Sequence, residues 1–167
     1  MNQEDLTTYL NDHLAGSVGA LEMLDDMIQS HEGKPLEPFL EDLRSDIQSD
    51  QDELKELMRR LDVEESTMRK AGAWMVEKLS RTKLHRGDAG EANLALFQSL
   101  EALVLGITGK RSLWRTLAAA VVNSRQLPGL DFARLEARAA DQIERVESQG
   151  LGIARQIFGP ERRAAES

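Results

Sequence analysis

The sequence predicts an all-α protein, an antiparallel bundle of four long helices arranged as two helical hairpins. Three observations carry that expectation. Apolar residues recur at helical spacing over nearly all of the 167 residues. Strand signals are almost absent, with no sustained alternation, no Asn-Gly or Asp-Gly turn and few β-branched runs. Breaks containing Gly, Pro and Asp cut the periodic stretches into lengths that suit bundle helices.

The first expected helix, A, covers residues 3–31. Leu6, Leu10, Leu14, Leu21, Leu24 and Ile28 fall in one arc, with Tyr9, Ala20 and Met27 at its edge. Gly16 and Gly19 lower helix propensity, and the use expected for them is close approach of a neighbouring helix. Gly33 stops the helix within "HEGKPLEP". Pro38 then suits the first turn of helix B, residues 37–61, where its missing N–H is not needed. Phe39, Leu43, Ile47, Leu54, Leu57, Met58 and Leu61 face inward from B, and the short break makes A and B an antiparallel pair. Asp62 and Glu65 read as a capping box opening an additional helix over 63–84, with Met68, Ala71, Met75 and Leu79 as its stripe. Asp88 caps helix C, residues 89–123, whose main face carries Leu96, Phe97, Leu100, Leu103, Val104, Ile107 and Trp114. Asp131 caps helix D, residues 132–158, with Phe132, Leu135, Ala139, Ile143, Val146, Ile153 and Ile157 inward. Residues 1–158 thus form one domain and 159–167 a flexible tail. The B–C connection, about 27 residues with its own helix, is the long crossover of a bundle whose other links are short.

Charge narrows the function classes. The net charge of −8 argues against nucleic acid as the main partner. Residues 1–65 hold 18 acids and 5 bases, whereas residues 66–167 hold 11 acids and 16 bases. The two halves are expected to complement one another within the bundle or between subunits, and a homodimer is expected. Lys110, Arg111 and Arg115 are expected to meet the acidic face of A or B, with anion binding as the sharper alternative. The absence of cysteine excludes disulfides, thiolate metal sites and cysteine nucleophiles. The uncharged stretch around Glu101 approaches membrane-span length, roughly 18 residues. Asn93, Gln98, Ser99, Glu101 and Thr108 within it, and Lys110, Arg111 and Arg115 after it, argue against a span. With no basic-then-apolar leader, a cytoplasmic protein is expected. "GITGKRS" lacks the spacing and preceding strand of a phosphate loop, and no Ser–His–Asp elbow occurs.

Polar residues on apolar faces mark the candidate site. His13 lies in the arc of helix A, Asp50 in that of B, and Glu101 among Leu94, Phe97, Val104 and Leu105 of C. A buried carboxylate needs a partner, a water or a metal, and His13 is one expected partner for Asp50. If B and C run parallel, counting from their starts puts Asp50 and Glu101 about 3 Å apart in depth. Trp74 and Trp114 are expected to be packing residues.

With four helices, a long crossover and mid-helix carboxylates on B and C, the chain resembles the ferritin-like superfamily across residues 3–158. The resemblance implies a dimetal centre, with Glu on helix A, Glu-x-x-His on B, Glu on C and Glu-x-x-His on D. Here B reads Asp50-Gln51-Asp52-Glu53, so an acid stands in the first ligand position and a Glu in the His position. Glu101 fits the ligand on C. Helix A offers Ser17, with His13 a turn away, and D has only Glu144 and Glu147 at roughly the right spacing. The expected function is therefore a non-catalytic bundle with a degenerate metal site and a structural or partner-binding role. The alternative is an altered iron or manganese site of His13, Asp50, Glu53 and Glu101 with oxidase or metal-handling activity.

Overall fold

The computed structural model describes residues 3–66, 89–121 and 130–160. These hold four α-helices and no strand: α1 (Gln3–Ser30), α2 (Glu37–Arg60), α3 (Ala89–Val121) and α4 (Phe132–Phe158). They correspond to the expected A, B, C and D. Most of the expected crossover helix, with Asp88, Trp74 and His85, lies outside the described residues.

Local chemistry sets the helix ends. After α1, Gly33 takes a left-handed φ of 71°, a conformation that costs glycine little, and His31 Nδ1 lies 2.7 Å from the Met27 carbonyl oxygen. Pro38 occupies the first turn of α2. Asp131 caps α4, its carboxylate accepting from the Arg134 N–H at 2.9 Å. Asp62 departs from expectation. It has φ 55°, its N–H donates to the Arg59 carbonyl at 3.3 Å, and the Val63 N–H donates to the Met58 carbonyl at 2.9 Å. That is the paired closure of a helix C-terminus with a left-handed residue past the cap. Asp62 therefore ends α2, and residues 63–66, where the next helix was expected to start, are not helical. Asn11 holds them against α1, donating to the Glu64 carbonyl at 3.1 Å and accepting from the Ser66 N–H at 2.6 Å.

Two apolar clusters form the core. One gathers Leu6, Leu10 and Leu14 with Leu54, Leu57, Met58, Leu113, Trp114, Leu117 and Leu135. The other gathers Leu21, Met23, Leu24 and Met27 with Leu40, Leu43, Ile47, Leu100, Leu103, Ile107, Ala139 and Val146. The first thus joins the start of α1, the end of α2, the end of α3 and the start of α4. It follows that α1 runs antiparallel to α2, α3 antiparallel to α4, and α2 parallel to α3. α1 packs on α2, α4 on α3, and α1 on α3.

Helix α3 is 33 residues long against 24 for α2. Lys110 lies level with Asp50, so the first two turns of α3, about 12 Å, project past the start of α2. Residues 92–120 are long and apolar enough, by length and composition, to cross a membrane. In the bundle the same helix buries Leu100, Leu103, Ile107, Leu113, Trp114 and Leu117.

Candidate functional site

Between the two apolar clusters lies a polar layer, with Asp50 at its centre. Its spacing from Ile47 and Leu54 turns it inward on α2, and it is 2% exposed. One carboxylate oxygen accepts from the Arg138 guanidinium. The other accepts from the Lys110 ammonium and from Gln142 Nε2, the latter at 2.9 Å. Lys110 also donates to Gln142 Oε1, which closes a ring of three side chains from α2, α3 and α4. A buried carboxylate is tolerated when it is paired and hydrogen-bonded in this way. Burial disfavours the charge on Lys110 and pushes its pKa below the ordinary lysine value, while Asp50 opposes that shift.

Further ion pairs continue on either side. Arg145 of α4 reaches Asp46 of α2, and Arg134 of α4 reaches Glu53 of α2 at 2.7 Å. The ladder 46–145, 50–138, 53–134 joins the acid-rich first half of the chain to the base-rich second half, the internal complementarity that the charge distribution anticipates. Lys110 meets the acidic face of α2, whereas Arg111 and Arg115 turn to Glu136 of α4 at 3.2 and 3.7 Å.

Beside the cluster is a cavity of about 220 Å³. Ala20, Ile47, Leu54, Leu103, Ile107 and Leu113 give it mostly apolar walls, and Asp12, His13, Ser17, Asp50, Gln51, Lys110 and Trp114 also line it. Gly16 forms part of the wall, and a Cβ built there would meet nothing within 4 Å. This glycine opens space where the sequence suggested a close helix approach. Gln51 donates to the Ser17 hydroxyl at 2.9 Å, and Ser17 donates to the Leu14 carbonyl at 2.6 Å. His13 packs edge-on against Tyr9 at 4.7 Å between ring centres. Burial lowers its pKa, against the pull of Asp12. The Trp114 indole N–H is buried without a partner among the described residues.

The four residues singled out from sequence do not assemble as a set. His13 and Asp50 share the cavity, but the bonds of Asp50 go to Lys110, Arg138 and Gln142 instead of His13. Glu53 is paired with Arg134. Glu101, expected to be buried, is exposed. It lies on the outer stripe of α3 between Leu94 and Leu105, nine residues before Lys110 and hence about 13 Å from the level of Asp50. Among the described residues no three His, Asp or Glu side chains come together as a metal-holding group. Donor chemistry agrees, since the oxygens of Asp50 are already taken by two cations and an amide. Glu144 and Glu147 are exposed as well. Gln142 was missed, although it lies three residues after Ala139 and four before Val146 on the buried face of α4. That placement is the same signal that picked out Asp50.

Comparison with protein families, with characterised proteins and with solved structures finds no match to this chain.

Proposed function

We propose that the chain is a non-catalytic ferritin-like bundle, in which a buried ion cluster stands where relatives of that superfamily would hold a dimetal centre, and that it works by binding a partner. The observation that carries this reading is the saturation of Asp50 by Lys110, Arg138 and Gln142. A divalent cation there would face two fixed positive charges, and repulsion between like charges disfavours its binding. The parallel course of α2 and α3 supports the ferritin-like assignment.

A second copy of the chain is the proposed partner. Of the five large apolar side chains most exposed among the described residues, four, Leu94, Leu105, Leu151 and Phe158, lie on the α3–α4 hairpin and the fifth, Val18, on α1; Leu105 is 67% exposed. Apolar side chains gathered on one hairpin mark an interaction surface. The test is elemental analysis of protein purified without chelator, together with light scattering. The expected result is iron and manganese far below one ion per chain, and a dimer that Leu105→Glu with Phe158→Glu converts to monomer. A stoichiometric metal ion that disappears in Asp50→Asn overturns the ionic reading, and a monomeric parent protein overturns the self-association.

A further inference from the structure

We propose that the mid-bundle cavity is a binding site for a small carboxylic acid, its apolar body between α1 and α3 and its carboxylate at Lys110 and Trp114. The proposal rests on the ionic reading of the Asp50 cluster given above.

Size bounds the occupant first. A dry apolar cavity of about 150 Å³ holds benzene. In proportion, the 220 Å³ here accommodates about nine non-hydrogen atoms. The space is also one the chain leaves open. A Cβ at Gly16, in the cavity wall, would meet nothing within 4 Å, and almost any residue there would favour the helix more than glycine does.

Polar valence then sets the head group. The oxygens of Asp50 are occupied by three donors, and the Ser17 hydroxyl both donates and accepts. His13, its pKa lowered by burial, lends the space one donor and one acceptor, and what remains unmet around Lys110 is donors. An ammonium has three, and Lys110 uses two, on Asp50 and Gln142. The indole N–H of Trp114 uses none among the described residues. A buried donor left without an acceptor is costly, so the occupant gains by bringing acceptors.

Charge selects among acceptors. In direct contact Asp50 carries one negative charge against the two positive charges of Lys110 and Arg138, and although the wider set of ion pairs is balanced, a carboxylate is the acceptor that an ammonium holds best. Burial, and after it Arg138, disfavours the charged form of Lys110, which Asp50 and Asp46 support, and a further anionic oxygen beside it adds to that support. Asp12, the other acid of the lining, is exposed to solvent.

The test is a calorimetric titration of the full chain with benzoate, which has about nine non-hydrogen atoms as the cavity requires, and with toluene, its apolar counterpart. Circular dichroism confirms the fold of each variant. The expected result is that benzoate binds at least tenfold more tightly than toluene. Trp114→Phe, which removes the N–H and keeps an aromatic side chain, is expected to weaken benzoate about fivefold, the loss of one hydrogen bond. Lys110→Met is expected to abolish the preference for benzoate over toluene, and Gly16→Leu to block both probes by filling the space. No benzoate binding at millimolar concentration, equal affinity for toluene, or unchanged affinity in Gly16→Leu each overturns the proposal. Metal content measured on the same preparation reports on the ionic reading alone, so failure of one inference is separable from failure of the other.

Discussion

Replacing Asp50 with Asn isolates the charge at the centre of the bundle while keeping the shape of the side chain. The parent carboxylate is 2% exposed, and its partners Lys110 and Arg138 are 15% and 24% exposed at their side chains. Asn keeps one acceptor oxygen, so part of the hydrogen bonding survives. What vanishes is the negative charge in direct contact with both cations. Breaking a buried ion pair from one side costs about 3–5 kcal/mol. The retained acceptor and the partial exposure of the cations place the expected loss near the lower end, about 3 kcal/mol. For a domain of this size that is a fall in Tm of about 6–12 °C, at roughly 2–4 °C per kcal/mol. Urea unfolding followed by circular dichroism at pH 7 measures it. The double variant with Lys110→Met should lose less than the sum of the single losses, because it removes a stranded cation together with its former partner. The exposed Arg44–Asp25 pair supplies the control, and Asp25→Asn should cost less than about 1 kcal/mol. A loss below about 1 kcal/mol for Asp50→Asn, or strict additivity in the cycle, would refute the assignment of Asp50 as the counter-charge of the core.

Three further outcomes follow from the same geometry. Glu101→Gln should change stability by no more than about 0.5 kcal/mol, because Glu101 faces solvent, and urea midpoints will report it. The pKa of Lys110 lies below the ordinary 10.5 in the folded chain. Between those two values the unfolded chain binds more protons, so stability should rise with pH through that window. In Lys110→Met the rise contributed by this group should be missing, which unfolding midpoints across the alkaline range will show. Gly16→Ala should stabilise the fold by about 0.5–1 kcal/mol, since the new methyl group meets nothing within 4 Å and the helix gains propensity; a loss of stability would show that α1 needs glycine there.

Much of the architecture was legible because capping and periodicity act locally. Gly33, Pro38 and Asp131 mark helix ends by their own backbone chemistry, and the boundaries of α4 follow from Asp131 and the stripe Leu135, Ala139, Val146. Asp62 was misread because the same residue type that caps a helix start also tolerates the left-handed conformation past a helix end. Glu101 was misread for a different reason. A helix apolar on most of its circumference gives little contrast between inner and outer faces, and Leu94 and Leu105, which made Glu101 look enclosed, themselves point outward. The depth comparison failed because it counted from helix starts, and α3 begins about two turns before the level at which α2 begins. Counting from the starts paired Asp50 with a carboxylate, whereas the structure pairs it with Lys110. The cavity was not legible at all, since the space at Gly16 depends on how far α1 stands from α3, a distance no single helix encodes.

The Lys110–Asp50 contact between α3 and α2 also acts as an index for sliding. Leucines facing leucines tolerate displacement along a helix axis, because one apolar contact replaces another of similar worth. The Asp50 carboxylate does not, since α3 offers it one ammonium, that of Lys110. A displacement of one helical turn, about 5.4 Å, would set Gly106 and Ile107 or Leu113 and Trp114 at its level instead. The acids of α2 and the arginines of α4 recur at nearly one turn and could pair again, so Lys110 rather than the ladder fixes the height at which the two hairpins dock.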